Sequence, residues 1–243
     1  MLYATLAGVA LVLSHTMPHE TRATLTSASG QPVLGIDISS YQHSGGPIDW
    51  LQLARDGVRF VAIKATEGTY YVNPYYASDL RAATAAGIPV LAYAFANPTS
   101  AGGAPTARYA MDAASDTADG PPKLPLVVDL EDDPYSSDHC YGLNVSQMIA
   151  WIAGFVGQTK AWTGENPIIY TTYDWWQQCT GFTGDFSGTP LWLASYGVSQ
   201  PAIPSPWQQW TFWQYTSGGD LSGIGNTDLD YFYPTSALSS LSG

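Results

Sequence analysis

The sequence predicts an α/β fold: a modified TIM-like β/α barrel with about five β/α units followed by three strands lacking regular helices. Three observations predict it. Eight short, β-rich apolar runs recur from Pro32 onward, helical patterns separate the early ones, and those patterns stop after the sixth run. Most of the runs are continuous rather than alternating, as parallel strands buried on both faces require.

The runs are residues 33–38, 60–64, 89–95, 126–130, 167–171, 191–195, 211–215 and 227–232. Residues 48–56 read as a helix closed by Gly57, and 74–86 as one closed by Gly87. A Gly just past a helix satisfies its last carbonyls in a left-handed turn. Pro74 and Pro105 suit first-turn positions, where no backbone donor is needed. The third helix spans 105–118, the fourth is a long one at 144–160, and the fifth a short one at 173–179. Segment 196–210 is rich in Pro, Ser and Gln, and 216–226 is rich in Gly, so both read as loops. With no internal repeat or interdomain linker, residues 31–243 are expected to form one domain.

Residues 1–30 read as a leader. Leu2 to Leu13 is an apolar run too short to span a bilayer. A polar Ser/Thr/Ala stretch follows, with small residues at Ala23 and Ala28 suited to cleavage, although the positive start of a signal peptide is missing. Export and an extracellular, monomeric protein are the expectations. A formal charge of −12 leaves nothing to neutralise a row of phosphates, which argues against nucleic acid. It argues equally against a polybasic membrane anchor. Aromatic residues at 13% beside only 12% charged residues fit an exported protein that handles sugars by ring stacking.

The run Val127-Val128-Asp129-Leu130-Glu131 carries the chemistry. Its carboxylates stand at i and i+2, so on a strand both share one face. Burying acids at the end of an apolar strand is costly unless they are used. Glycoside hydrolysis asks for such a pair, one to protonate the leaving oxygen and one to stabilise or attack the sugar cation. In β/α barrels chemistry sits at the C-terminal strand ends. Asp37 closes the first strand, Asp129 and Glu131 close the fourth, and Asp228 and Asp230 lie in the eighth. Lys64 closes the second strand, with Glu67 just beyond. The first and eighth strands are neighbours in a closed barrel, so these carboxylates converge on one mouth.

Ordered motifs then resemble a known family. They are Gly35-Ile36-Asp37-Ile38-Ser39-Ser40-Tyr41-Gln42, Ile48-Asp49-Trp50, Phe60 to Gly68, Asp129-Leu130-Glu131, Ile168-Ile169-Tyr170-Thr171, Leu191 to Tyr196, Trp213-Gln214-Tyr215 and Asp228-Leu229-Asp230. Their order and spacing resemble the glycoside hydrolase family 25 lysozymes, the Chalaropsis-type N-acetylmuramidases, across 33–233. The resemblance implies cleavage of the β-1,4 bond between N-acetylmuramic acid and N-acetylglucosamine in peptidoglycan. It places Asp37, Asp129, Glu131 and Asp228 in the active site, with Glu131 as general acid. Two departures stand out. Tyr93-Ala94-Phe95 replaces the family's usual Tyr-His-Phe, which would remove a polar groove contact. Asp230 replaces a usual Asn, which leaves open whether Asp228 or Asp230 faces the site.

On this reading Asp129 stabilises the oxocarbenium-like charge or orients the substrate's N-acetyl group, and Asp37 holds a water or a sugar hydroxyl. Lys64 neutralises the acidic mouth, and Glu67 reads equally as a loop residue or as a ligand. Tyr93, Tyr170, Trp192, Tyr196 and Trp213 are candidate stacking platforms, with Asp230 a further substrate contact. Cys140 and Cys179 suit one disulfide between the loops after the fourth and fifth strands if the chain is exported, with two separate thiols as the alternative that spacing leaves open. No cofactor or metal is implied, and Asp132, Asp133, Asp138 and His139 read as a solvated acidic loop. Two other functions compete. A chitinase-like glycosidase fits the acids loosely, without the longer Asp-rich run upstream of its Glu. A non-catalytic wall-binding protein would be expected to lack one acid of the pair, and both are present.

Overall fold

The computed structural model describes residues 32–115 and 124–233. The leader and the end of the third helix lie outside the described residues. Nine strands form one sheet: β1 (Val33–Ile38), β2 (Phe60–Glu67), β3 (Tyr71–Val72), β4 (Val90–Phe95), β5 (Val127–Leu130), β6 (Ile168–Thr172), β7 (Leu191–Ala194), β8 (Phe212–Leu221) and β9 (Gly225–Phe232). Their order, β1-β9-β8-β7-β6-β5-β4-β2, closes into an eight-stranded barrel by β1–β2 pairing, and short β3 adds to the end of β2. The helices are α1 (Trp50–Arg55), α2 (Tyr76–Ala85), α3 (Gly103–Ser115), α4 (Val145–Thr163) and α5 (Tyr173–Thr180).

The fold class agrees with the sequence, and the last strands differ in direction. Seven barrel strands run parallel, but β9 runs antiparallel to both β8 and β1. Most of the Gly-rich stretch expected to be a loop is a hairpin that extends β8 to Leu221 and starts β9 at Gly225. An antiparallel pair needs only a tight turn, supplied here around Gly223 (φ +95°), whereas a parallel pair needs a crossover. The final connection therefore dispenses with a helix. Pro74 stands just ahead of α2, whose N-cap is Tyr75, and Pro105 falls in the first turn of α3.

Strand alternation divides the apolar residues between two cores. Ile36, Ile63, Val128, Ile169 and Leu193 point outward and pack against the helices with Leu53, Phe155 and Trp176. Phe60, Phe212 and Phe232 point inward and meet edge-on or tilted, with ring centroids 5.1 to 6.3 Å apart. Val33, Leu91, Val127 and Ile168 complete this inner plug, a packed layer rather than a pore. Gly35 makes the plug possible, because a Cβ there would lie 2.2 Å from the Phe60 ring. Gly103 does the same for the α3–α4 contact, where a Cβ would fall 1.8 Å from the Trp151 carbonyl oxygen. Among the described residues no helix is long and apolar enough to cross a membrane.

Candidate active site

The barrel interior turns polar toward one end. Opposed pairs on β1 and β9 show the gradient: Val33 faces Phe232, Gly35 faces Asp230, and Asp37 faces Asp228. Above the phenylalanine plug, Trp192 Nε1 donates to Asp230 Oδ1 at 2.9 Å. One layer higher, Gln214 Nε2 donates to Asp37 Oδ2 at 2.6 Å, while Gln214 Oε1 accepts from the Tyr170 hydroxyl at 2.8 Å and from that of Tyr196. A cleft of about 450 Å³ opens above these groups. Asp37, Asp129, Glu131 and Asp228 line it together, with Lys64, Tyr93, Tyr170, Trp192 and Tyr196.

Asp129 and Glu131 reach the cleft by the alternation read in the sequence: Val128 and Leu130, on either side of Asp129, point outward into the helix-facing core. Asp129 is buried, and its Oδ1 has no hydrogen-bond partner among the described residues. Burial raises Asp129 well above the ordinary carboxylate range, the Glu131 charge raises it further, and Lys64 opposes both. Glu131 is pushed up to about 7 by burial, against the attraction of Lys64, with Asp132 and Asp228 adding to the rise. The pair therefore keeps a proton at pH values where an exposed glutamate has lost its own. Across the cleft, burial and then the Asp228 charge raise Asp37. Burial and then the Asp37 charge raise Asp230. Burial and mutual repulsion both oppose ionising these acids together, so this side of the mouth also favours protonated carboxyls.

Two expected contacts lie elsewhere. Trp213 is on the outer face of β8, its Nε1 donating to the Ser195 carbonyl at 2.8 Å, because Phe212 and Gln214 take the inward positions. Asp230 does point inward, as Asp228 does, but it sits fully buried beneath the cleft and binds Trp192 rather than lining the groove. Asp228 is the one at the mouth. The Ala94 departure has no effect on the groove: Tyr93 and Phe95 line the cleft, and Ala94 faces the helices. Cys140 and Cys179 form a disulfide, with Cys179 in α5 rather than in a loop.

Of the cleft-lining residues outside the candidate set, Gln214 and Tyr135 make cross-cleft hydrogen bonds, and Glu67 is one the sequence leaves open between loop residue and ligand. Gln214 was legible in retrospect as a polar side chain at an inward position between a buried Phe and the strand end. The inward turn of Glu67 was not. A bulge between Lys64 and Thr66 shifts the β2 register, so Glu67 turns inward with Lys64, which strict alternation forbids at i, i+3. Tyr135 belongs to the irregular segment after β5, where no periodicity signals its place. Its hydroxyl crosses to Glu67 Oε1 at 2.6 Å.

The profile of glycosyl hydrolases family 25 matches residues 36–224. The chain belongs to this family. Among its relatives, Lysozyme M1 of Streptomyces globisporus is 38% identical over 216 residues, which cover 88% of this chain and 72% of that protein. The N,O-diacetylmuramidase of Arthroderma benhamiae is 40% identical over 203 residues, 82% of this chain and 84% of that protein. The crystal structure of a bacterial lysozyme from Streptomyces coelicolor matches at 38% identity with a TM-score of 0.78, covering 87% of this chain and 97% of that one. The family 25 match ends ahead of Asp228 and Asp230, and barrel closure against β1 brings Asp228 to the mouth and Asp230 one layer beneath it.

Proposed function

We propose that this family 25 chain is a muramidase that hydrolyses the β-1,4 bond between N-acetylmuramic acid and N-acetylglucosamine in bacterial peptidoglycan. The observation that carries the reading is the Asp129–Glu131 pair, two carboxyls on one face at the end of β5 in a cleft walled by aromatic rings. Relatives named as a lysozyme and an N,O-diacetylmuramidase support the substrate. Glu131, held protonated up to about pH 7, gives its proton to the glycosidic oxygen as the bond to the anomeric carbon breaks. Asp129 faces the developing positive charge or the substrate's N-acetyl group. Asp37 and Asp228 hold water or sugar hydroxyls at the opposite wall, and Tyr93, Tyr170, Trp192 and Tyr196 supply faces for the sugar rings. Water completes the hydrolysis. The low charge content, the leader-like first 30 residues and the disulfide support secretion.

The test is release of soluble, reducing fragments from purified peptidoglycan, with chitin as the control that a chitinase-like enzyme would cut. The same assay checks the pH dependence. A raised acid is protonated below its pKa and loses the proton as pH rises through it. kcat/KM should therefore fall above about pH 7, by about tenfold per pH unit once Glu131 is mostly ionised. Repulsion between a chain of net charge −12 and an anionic wall acts in the same direction. A profile that is flat or rising from about pH 4 to about pH 8 would contradict both arguments.

A further inference from the structure

The mouth holds many acids but, among the described cleft-lining residues, one cation, Lys64. Where its charge sits decides how strongly it favours ionised over protonated carboxyls nearby. Lys64 is held from three sides. Its Nζ lies 4.6 Å from the centroid of the Phe95 ring and 5.8 Å from that of Tyr71, and it donates to Glu67 Oε2 at 2.5 Å. Both partners of this ion pair are nearly enclosed. Glu67 is itself fixed, because Oε1 accepts from the Tyr70 hydroxyl at 2.7 Å and from the Tyr135 hydroxyl at 2.6 Å.

This arrangement costs a bulge in β2 and turns a carboxylate into a mouth already crowded with acids. We propose that Glu67 is a positioning residue for the proposed muramidase reaction: by binding Lys64 it draws that charge away from Asp129 and Glu131 and so keeps the acid protonated at working pH. The inference rests on the assignment of Glu131 as general acid. Burial works against an ionised Glu67, but the hydrogen bonds from Lys64, Tyr135 and Tyr70 outweigh it and hold Glu67 below the usual range, so it is a carboxylate where Glu131 is an acid. The remaining acids around Lys64 and Glu67 are Asp37 on β1, Asp129, Asp132 and Asp133 on β5 and its following segment, and Asp228 on β9, with Asp230 buried beneath the cleft. The phenols of Tyr93, Tyr170 and Tyr196 also face it, from β4, β6 and the segment after β7. His139 Nδ1 lies 3.0 Å from Asp132 Oδ1 on the exposed side of the segment after β5; the described groups inside the mouth supply no other positive charge, so there the Lys64–Glu67 pair is the adjustable element.

The experiment follows the side-chain carboxyl carbon of Glu131 by NMR during pH titration of the labelled full chain, in wild type, Glu67→Gln, Lys64→Met and the double variant. Loss of Glu67 should free Lys64 toward the acids and lower the Glu131 midpoint by about one pH unit. In the Lys64→Met background the same change should have little effect, because Glu67 acts through Lys64. A shift of equal size in both backgrounds would mean that Glu67 acts on Glu131 directly, and no shift in either would mean that it does not act; each overturns the proposal. Glu67→Asp covers the case in which Glu67→Gln does not fold. It keeps the charge but withdraws it by one methylene, and should lower the midpoint by less in the wild-type background and hardly at all beside Lys64→Met, whereas a direct charge effect would shift it equally in both. The titration reads the carboxyl whether or not peptidoglycan is cut. An unchanged midpoint with wild-type lysis therefore defeats this inference alone, and absence of lysis defeats the functional reading.

Discussion

Glu131→Gln should lower kcat on peptidoglycan by about 10²- to 10⁴-fold while leaving the fold and the affinity for glycan nearly unchanged. Gln has the shape of the protonated acid and can still hydrogen-bond the glycosidic oxygen, but it has no proton to transfer. The loss should therefore fall on kcat rather than KM, since the missing interaction is made only as the leaving oxygen gains charge. Removing a buried ionisable group should also make the variant slightly more stable than wild type above about pH 7, where Glu131 ionises against its surroundings. The sign follows from linkage: a folded-state pKa above the unfolded value contributes stability at low pH that is lost as pH rises through it. Steady-state rates on soluble muropeptide oligomers, with thermal melts at low and high pH, check both parts. A variant with wild-type kcat would remove Glu131 from the chemistry.

Replacing Cys140 and Cys179 by Ser should cost about 4 kcal/mol of unfolding free energy in the chain-entropy account, given a closed loop of 39 residues. The bond ties the segment after β5 to α5, with α4 and β6 inside the loop. That segment begins at Glu131 and carries Tyr135 across to Glu67, so losing the bond should also loosen one wall of the cleft. We expect a raised KM and a smaller change in kcat. Urea denaturation of the double Ser variant measures the stability term. A loss below about 1 kcal/mol would show that packing of Cys179 and its neighbours, rather than the cross-link, holds this wall.

The parts of the fold legible in the sequence were those set by periodicity. Continuous apolar runs gave the parallel strands, Gly57 and Gly87 ended α1 and α2, and i, i+2 spacing put Asp129 and Glu131 on one face. What stayed hidden depended on departures from regular geometry. The antiparallel β9 could not be read because its hairpin is built from Gly and Ser residues that equally suit a loop. A one-residue bulge concealed the inward turn of Glu67, since it reverses the face that alternation assigns from Thr66 onward, while Ala65 keeps its outward place. Trp213 was misplaced for the opposite reason. Its aromatic character drew attention, while parity with Phe212 already assigned it to the outer face. Asp230 shows a further limit, because alternation gives the face but not the depth, and only register against Gly35 sets it one layer below Asp228.

The most direct test of the central claim is the chemical identity of the new reducing end. Purified peptidoglycan is digested with the wild-type protein, reduced with borohydride, and the fragments are identified by mass spectrometry. Cleavage after N-acetylmuramic acid predicts muramitol ends that accumulate with enzyme and are absent from the Glu131→Gln digest. Glucosaminitol ends would contradict the bond assignment while keeping a glycosidase. No new ends from a folded wild-type chain would contradict the enzyme itself and leave a protein that holds glycan without cutting it.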